Sequence, residues 1–313
     1  MHTKNVRLPI CAAFVLSWIH ATQLTASADQ YEIRLDRPER VGNKYAVSLR
    51  AETRGVIRPV AGERPLPESL KSLEKTPWQT GLELELDASV EVLKVDGAGR
   101  VLKQALTVER WLLDDQDNGE GFDPQSKVIV AETIDGETRF TLDGRPVGEY
   151  YSEILRIVVA THTGGRTLDA TYGTTKRRKI GESWTMKADA DFIERLVGKD
   201  RLPSGISLSD VGPSATVKLT KMERNGAAGF QVDSSFHRTG IFAGGPPVEE
   251  GASIERSELK HSFSGRYPLD PAARCLRQVE SRRWEIVTKF PGQDYLMLQG
   301  VEQVVTRKFA PSS

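Results

Sequence analysis

Between Leu82 and Val92 every even position is apolar and every odd one is Glu, Asp or Ser. A period of two held for eleven residues without a slip specifies a β-strand with one dry face and one wet face. Asp96-Gly97-Ala98-Gly99 then supplies residues that tolerate positive φ, and the chain returns from Arg100 to Trp111 with Leu102, Leu106 and Val108 on one parity. The stretch 81–111 therefore reads as a long antiparallel hairpin, a strong statement about architecture and none about chemistry.

The same signals recur on both sides of it. Tyr31–Leu35 and Tyr45–Glu52 read as short strands around the turn Val41-Gly42-Asn43-Lys44, and Lys127–Ile134 pairs with Glu137–Leu142 across Asp135-Gly136. Five more strand-like runs, at 215–222, 229–236, 253–267, 275–289 and 295–309, close the chain in sheet. Pro59, Pro65, Pro67 and Pro77 mark 55–77 as a surface excursion with one short helix at Glu68–Glu74. Asp143-Gly144-Arg145-Pro146 stops the sheet, and the period changes to that of a helix: Val147, Tyr151, Ile154, Leu155 and Val158 share one face of a helix expected over 147–162. A second short helix is expected at Asp189–Val197, followed by a loop to Pro213. The fold class is thus mainly β (α+β): a large antiparallel, curved sheet or two similar β-lobes, with one longer helix and one or two short ones. The lobes would span 29–165 and 183–313, with 166–182 as linker.

The N-terminus has the form of a secretory signal. His2, Lys4 and Arg7 precede an apolar run from Leu8 to Ile19, and Ala26-Ser27-Ala28 has the small-x-small pattern of a cleavage site. Export after cleavage near Ala28, to the periplasm or beyond, is the expectation. Cleavage would remove two of the 43 basic residues and none of the 43 acidic ones, leaving a near-neutral chain. Such a balance argues against a nucleic-acid partner, which needs a clustered positive surplus. It would also leave Cys275 as the single cysteine, so that no intramolecular disulfide forms and the thiol reads as a small buried hydrophobe.

No motif in the chain assembles a reaction. Ser72-Leu73-Glu74-Lys75 has the S-x-x-K spacing but lacks the companion motifs of that chemistry. The acidic segment from Asp114 to Asp123 surrounds Gly119 and Gly121, yet a calcium loop laid on Asp114 meets Gln116 at its third position and Gln125 at its twelfth. His162, His237 and His261 are dispersed without metal-ligand spacing, and His162 reads as a partly buried residue at a helix C-terminus. Lys176-Arg177-Arg178-Lys179 is the one strong basic run and reads as solvated loop. Neither a catalytic residue, a metal site nor a cofactor is expected.

A faint internal echo joins the two halves. Gly42-Asn43-Lys44-Tyr45 parallels Gly181-Glu182-Ser183-Trp184, and Ser89–Lys94 parallels Thr216–Lys221. The segment from Thr174 to Met186, between a Tyr/Leu-rich helix and the strand at 215–222, resembles a group of bacterial exported proteins known only as a domain of unknown function. That likeness implies no site residue. More loosely, long antiparallel strands with a few helices after a signal are similar to the envelope lipoprotein carriers, whose curved sheet shelters acyl chains. Two readings follow. One is a non-catalytic binding module for a lipid or other apolar or amphipathic ligand, held beside Tyr150, Tyr151, Ile154, Leu155 and Val158. The other is a structural or protein-interaction module of the envelope.

Overall fold

The computed structural model describes residues 30–62, 64–75, 78–115, 122–159, 161–186, 215–224, 227–240 and 251–311. Twelve strands form one antiparallel sheet. Its first half is β2 (Lys44–Ala61), β3 (Trp78–Val95), β4 (Val101–Asp115), β5 (Val128–Ile134), β6 (Glu137–Leu142) and β7 (Arg145–Pro146). Its second half is β9 (Ser183–Met186), β10 (Ala215–Arg224), β11 (Ala227–Thr239), β12 (Ser253–Pro268), β13 (Arg277–Lys289) and β14 (Tyr295–Pro311). Within each half the spatial order is the chain order, and the two six-strand meanders meet where β14 pairs with β2. A separate two-stranded sheet joins β1 (Gln30–Tyr31) to β8 (Arg178–Lys179). Three helices lie among the described residues: α1 (Glu68–Lys75), α2 (Glu149–Val158) and α3 (Leu168–Tyr172).

One face of the large sheet is lined mainly by apolar side chains in both halves. Register places Val90 and Leu86 of β3 beside Tyr45 and Leu49 of β2 on one side and Leu106 and Trp111 of β4 on the other, all buried. The same face continues through Val305, Trp284, Leu259, Phe236 and Val217 in the second half. Glu83, Glu85, Asp87 and Glu91 of β3 lie on the opposite face. A sheet of twelve strands with one buried face curls around what it buries. Bulges at Glu109 in β4 and between Ile254 and Arg256 in β12 break the regular ladder where such bending is needed. The bulge at Glu109 also shifts the parity of β4, so that Trp111 and Leu113 turn inward while Leu112 is left exposed.

α2 lies on that face. Ile154, Leu155 and Val158 join one core cluster with Leu84, Val90 and Leu106. Each such burial contributes roughly 1.5–3 kcal/mol, which outweighs the weak intrinsic stability of a ten-residue helix. The second half is covered by the N-terminal segment and α3, with Ile33, Leu35 and Tyr172 packed among Leu219, Val232 and Phe263. A reciprocal clasp fixes this cover. Asp36 accepts from the N–H groups of Leu168 and Asp169 at the start of α3, and Asp169 accepts from Leu35 N–H at 2.6 Å.

Several sequence expectations are corrected. Tyr31–Leu35 is not a strand of the sheet: only Gln30–Tyr31 is paired, and Leu35 bonds to the Asp169 carboxylate instead of a ladder. An extended segment buried on one side carries the same alternation as a strand. The excursion expected from Gly55 begins later, because β2 runs through Pro59 to Ala61. β3 pairs with β2 only as far as Ile57, so beyond that point β2 has one partner and tolerates proline. Asp143-Gly144 does not end the sheet but forms a second turn with φ of 47° and 79°, leading into β7. The helix expected over 147–162 is shorter and ends at Val158, with Val159 already extended. α3 and β8 occupy the stretch expected to be linker. The helix expected at Asp189–Val197 and the loop after it lie outside the described residues.

The internal echo is present in the backbone. Gly42 N–H donates to Val92 C=O, Val92 N–H donates to Asn43 C=O, and Asn43 N–H donates to Arg40 C=O. Gly181, Leu219, Glu182 and Lys179 make the same three bonds in the same order. Gly42 and Gly181 adopt φ of 86° and 90°, a left-handed conformation that favours glycine. The sequence parallels at 42–45 and 89–94 thus mark one recurring device, a turn locked onto the next strand but one residue before a new strand starts.

Candidate ligand-binding cavity

A cavity of about 440 Å³ lies on the inner face, between the sheet and the segment that follows α2. Val47 and Leu49 of β2, Val90 of β3, Leu106 of β4, Val158 of α2 and Phe309 of β14 supply its apolar walls. It sits where the two meanders join, and Phe309 packs against both core clusters from there. Liquid water occupies about 30 Å³ per molecule, so the space would hold about fifteen waters.

Two polar assemblies frame it. In the first, Arg274 ion-pairs with Glu39, and its guanidinium carbon lies 3.2 Å from the centroid of the Tyr45 ring. The Tyr45 hydroxyl bonds Gln104 Oε1 at 3.2 Å. Burial raises the Tyr45 pKa, and the nearby Arg274 charge only partly opposes this. In the second, His261 Nε2 lies 3.2 Å from Glu280 Oε1, with the imidazole donating because an ionised carboxylate can only accept. Arg307 Nη1 lies 3.8 Å from the other carboxylate oxygen. Its Nε and Nη2 donate to the carbonyls of Val158 and Ile157, the last of α2, at 3.1 and 3.0 Å. A cation thereby caps the C-terminus of the covering helix, where the macrodipole favours it.

Electrostatics follow from this geometry. Burial alone would raise the Glu280 carboxyl, but the hydrogen bond from His261 and the charges of Arg307, His261 and Arg282 outweigh it and lower its pKa to about 2. Burial lowers the Arg307 pKa more than Glu280 restores it. Cys275, whose thiol donates to the carbonyls of Arg266 and Arg277, is pushed by burial up to about 11 and is no nucleophile at neutral pH.

The five residues expected to bind ligand are divided by the structure. Val158 lines the cavity; Ile154 and Leu155 are buried in the core beside it. Tyr151 stacks on Phe122 at 4.5 Å, away from the lining, and Tyr150 is exposed. Sequence reasoning missed Glu280 and Arg307, since a lone charge in an alternating strand gives no sign that its parity faces inward until register is known, and Arg274, which lies in the connection between β12 and β13. His162 lines the cavity but lies beyond α2, its N–H donating to Val101 C=O. His237 instead bonds Glu258 at 2.7 Å on the surface. Ser72 and Lys75 are exposed on α1, and the basic run contributes Arg178, which lies over the Trp184 ring at 5.5 Å. A second hollow of about 400 Å³ lies around Gly55, Gly81 and Gly300, but Glu52, Arg54, Glu83 and Arg283 give it charged walls.

No family model matches the chain, and no curated protein does. Among solved structures, the outer membrane protein OprG from Pseudomonas aeruginosa aligns with 88% of this chain and 100% of its own at 7% identity, with a TM-score of 0.18, too low to carry a conclusion about fold or function.

Proposed function

We propose that this protein is an exported, non-catalytic binding module of the cell envelope, holding an apolar or amphipathic ligand in the cavity beneath the end of α2. The observation that carries the reading is the cavity itself, with apolar walls from three strands, a helix and Phe309, and a charged part of its lining that includes Arg274, Glu280 and Arg307. A methylene takes nearly the room of a water, so the space matches one acyl chain of about fifteen carbons rather than a two-chain lipid. The sheet has the polarity of a soluble container. A membrane-embedded barrel needs an apolar outer band, whereas here the outer face of β3 carries Glu83, Glu85, Asp87 and Glu91.

Native mass spectrometry of the mature protein purified from its own envelope tests this. The expected result is a retained single-chain amphiphile, lost in Val90→Phe, which fills the cavity. A preparation that carries no small molecule, and does not take up a fluorescent fatty acid on titration, would refute the reading. A second subunit in its place would favour the interaction module.

A further inference from the structure

Five of the exposed large hydrophobic residues lie at one end of the sheet: Val41, Leu93, Ile134, Ile180 and Leu269. Topology puts them there. Val41 and Ile180 precede β2 and β9, which run in the same direction; Leu93 and Ile134 close β3 and β5, and Leu269 follows β12, all three running the opposite way. Val41 is 63% exposed and Leu269 42%, exposures that a turn residue with a large apolar side chain does not need for folding. Val41 and Ile180 also hold equivalent places in the recurring turn, so the feature occurs once in each half.

The same end is the basic end. The connecting segments 38–44, 93–100, 132–137, 162–167, 176–182 and 266–277 carry twelve Lys and Arg against seven Asp and Glu. At the opposite end, the described parts of 64–75, 114–127, 143–149 and 289–294 carry six against eight. Arg40, Lys94 and Lys179 are exposed and directly flank Val41, Leu93 and Ile180. The cavity reaches this end too, since Pro38, Ala98, Arg100 and His162 belong to its lining.

From this coincidence of apolar tips, positive charge and cavity mouth we propose that this end of the sheet docks on an anionic lipid bilayer. Apolar side chains at separate turn tips, each beside a cation, suit a fluid interface that receives them one by one. A protein partner would need a contiguous complementary patch of about 800 Å² per side, which points scattered around a rim do not form. Docking would hold the cavity mouth against the source of its ligand. The inference deepens the proposed function and rests on it for what is exchanged, but the docking itself is measured separately.

Flotation of the mature chain with vesicles is the test, using phosphatidylglycerol mixed with phosphatidylethanolamine on one side and phosphatidylcholine alone on the other. Each basic residue brought to an anionic surface is worth a factor of about five in partitioning. Expected are binding to the anionic vesicles, weakened by high salt, and a loss of tenfold or more in both Val41→Asp/Ile180→Asp and Lys176→Ala/Arg177→Ala. Leu73→Asp, on α1 away from this end, should float like the parent. Absence of flotation, equal flotation on neutral vesicles, or an equal loss in Leu73→Asp would overturn the inference. Uptake of a fluorescent fatty acid is measured on the same proteins. A chain that floats and takes no fatty acid retains the docking and removes the carrier reading; one that takes it and stays off the vesicles does the reverse.

Discussion

Arg307→Met is the perturbation that best probes how the covering helix is held. The side chain retains the length of the arginine stem but removes three interactions: donors at 3.1 and 3.0 Å to the carbonyls of Val158 and Ile157, and the charge 3.8 Å from Glu280. The two hydrogen bonds are charge-assisted, each worth about 1.5–3 kcal/mol before desolvation is counted. Ion pairing is smaller than its shift suggests. The fall of the Glu280 pKa to about 2 owes more to the hydrogen bond from His261 than to the Arg307 charge, and the Glu280 side chain is 34% exposed, so the Arg307 pair contributes about 1 kcal/mol. Arg307 is itself lowered because burial outweighs the attraction of Glu280, so part of the gain on the carboxylate is offset by the cost of burying the guanidinium. The net loss expected for Arg307→Met is therefore about 3 kcal/mol, read from urea unfolding at pH 7. The pH dependence has a definite sign. A carboxyl depressed in the folded state contributes stability that is complete above about pH 4.5 and is lost as pH falls toward 2. In the variant that acid limb should shrink, and the difference between parent and variant should be smaller at pH 3 than at pH 7. A loss under 1 kcal/mol, or one independent of pH over this range, would refute the reasoning.

Other expectations follow from single positions. In Gly265→Ala the new methyl would lie 2.5 Å from Tyr267 Cε2, a fully buried ring that lies across the glycine, so a loss of about 1–3 kcal/mol is expected in thermal unfolding. Gly42→Ala and Gly181→Ala should cost similar amounts, about 1–2 kcal/mol each, because both sit at left-handed φ with open space around them. Unequal costs would mean that the two turns are not equivalent supports. Cys275 should resist a thiol reagent at pH 8 in the native state and react on unfolding, given its burial and its pKa of about 11.

The architecture was legible wherever one face was dry. Leu82–Val92, Asp135-Gly136 and the periodic face Ile154, Leu155, Val158 each state their conformation locally, and the strands and helix they announce are present. Boundaries were less so. Where β2 stops, or α2 ends, depends on partners far along the chain: β3 ending opposite Ile57, and Arg307 reaching back to Val158. The charged margin of the cavity was invisible for the same reason. Glu280 and Arg307 look like ordinary solvent-side positions of β13 and β14 until register shows that their parity faces inward.

The position of the cavity has a reason in the way the sheet is assembled. Each meander fills its own concave face, the first with α2 and the second with the N-terminal segment and α3, and each has its own cluster of buried side chains. Only the C-terminal end of α2 reaches the line where β14 meets β2. Along that line the inward positions hold Arg307 and Phe309 beside Leu49 and Val47, so the seam is lined by a long polar group and a ring shared between the clusters rather than by a layer of aliphatic side chains. Packing is least complete where two separately filled units adjoin, and such junctions are where ligand pockets form. Arg307 then has two tasks from one position. It closes the last turn of α2 and, through Glu280 and His261, ties that helix to the second meander.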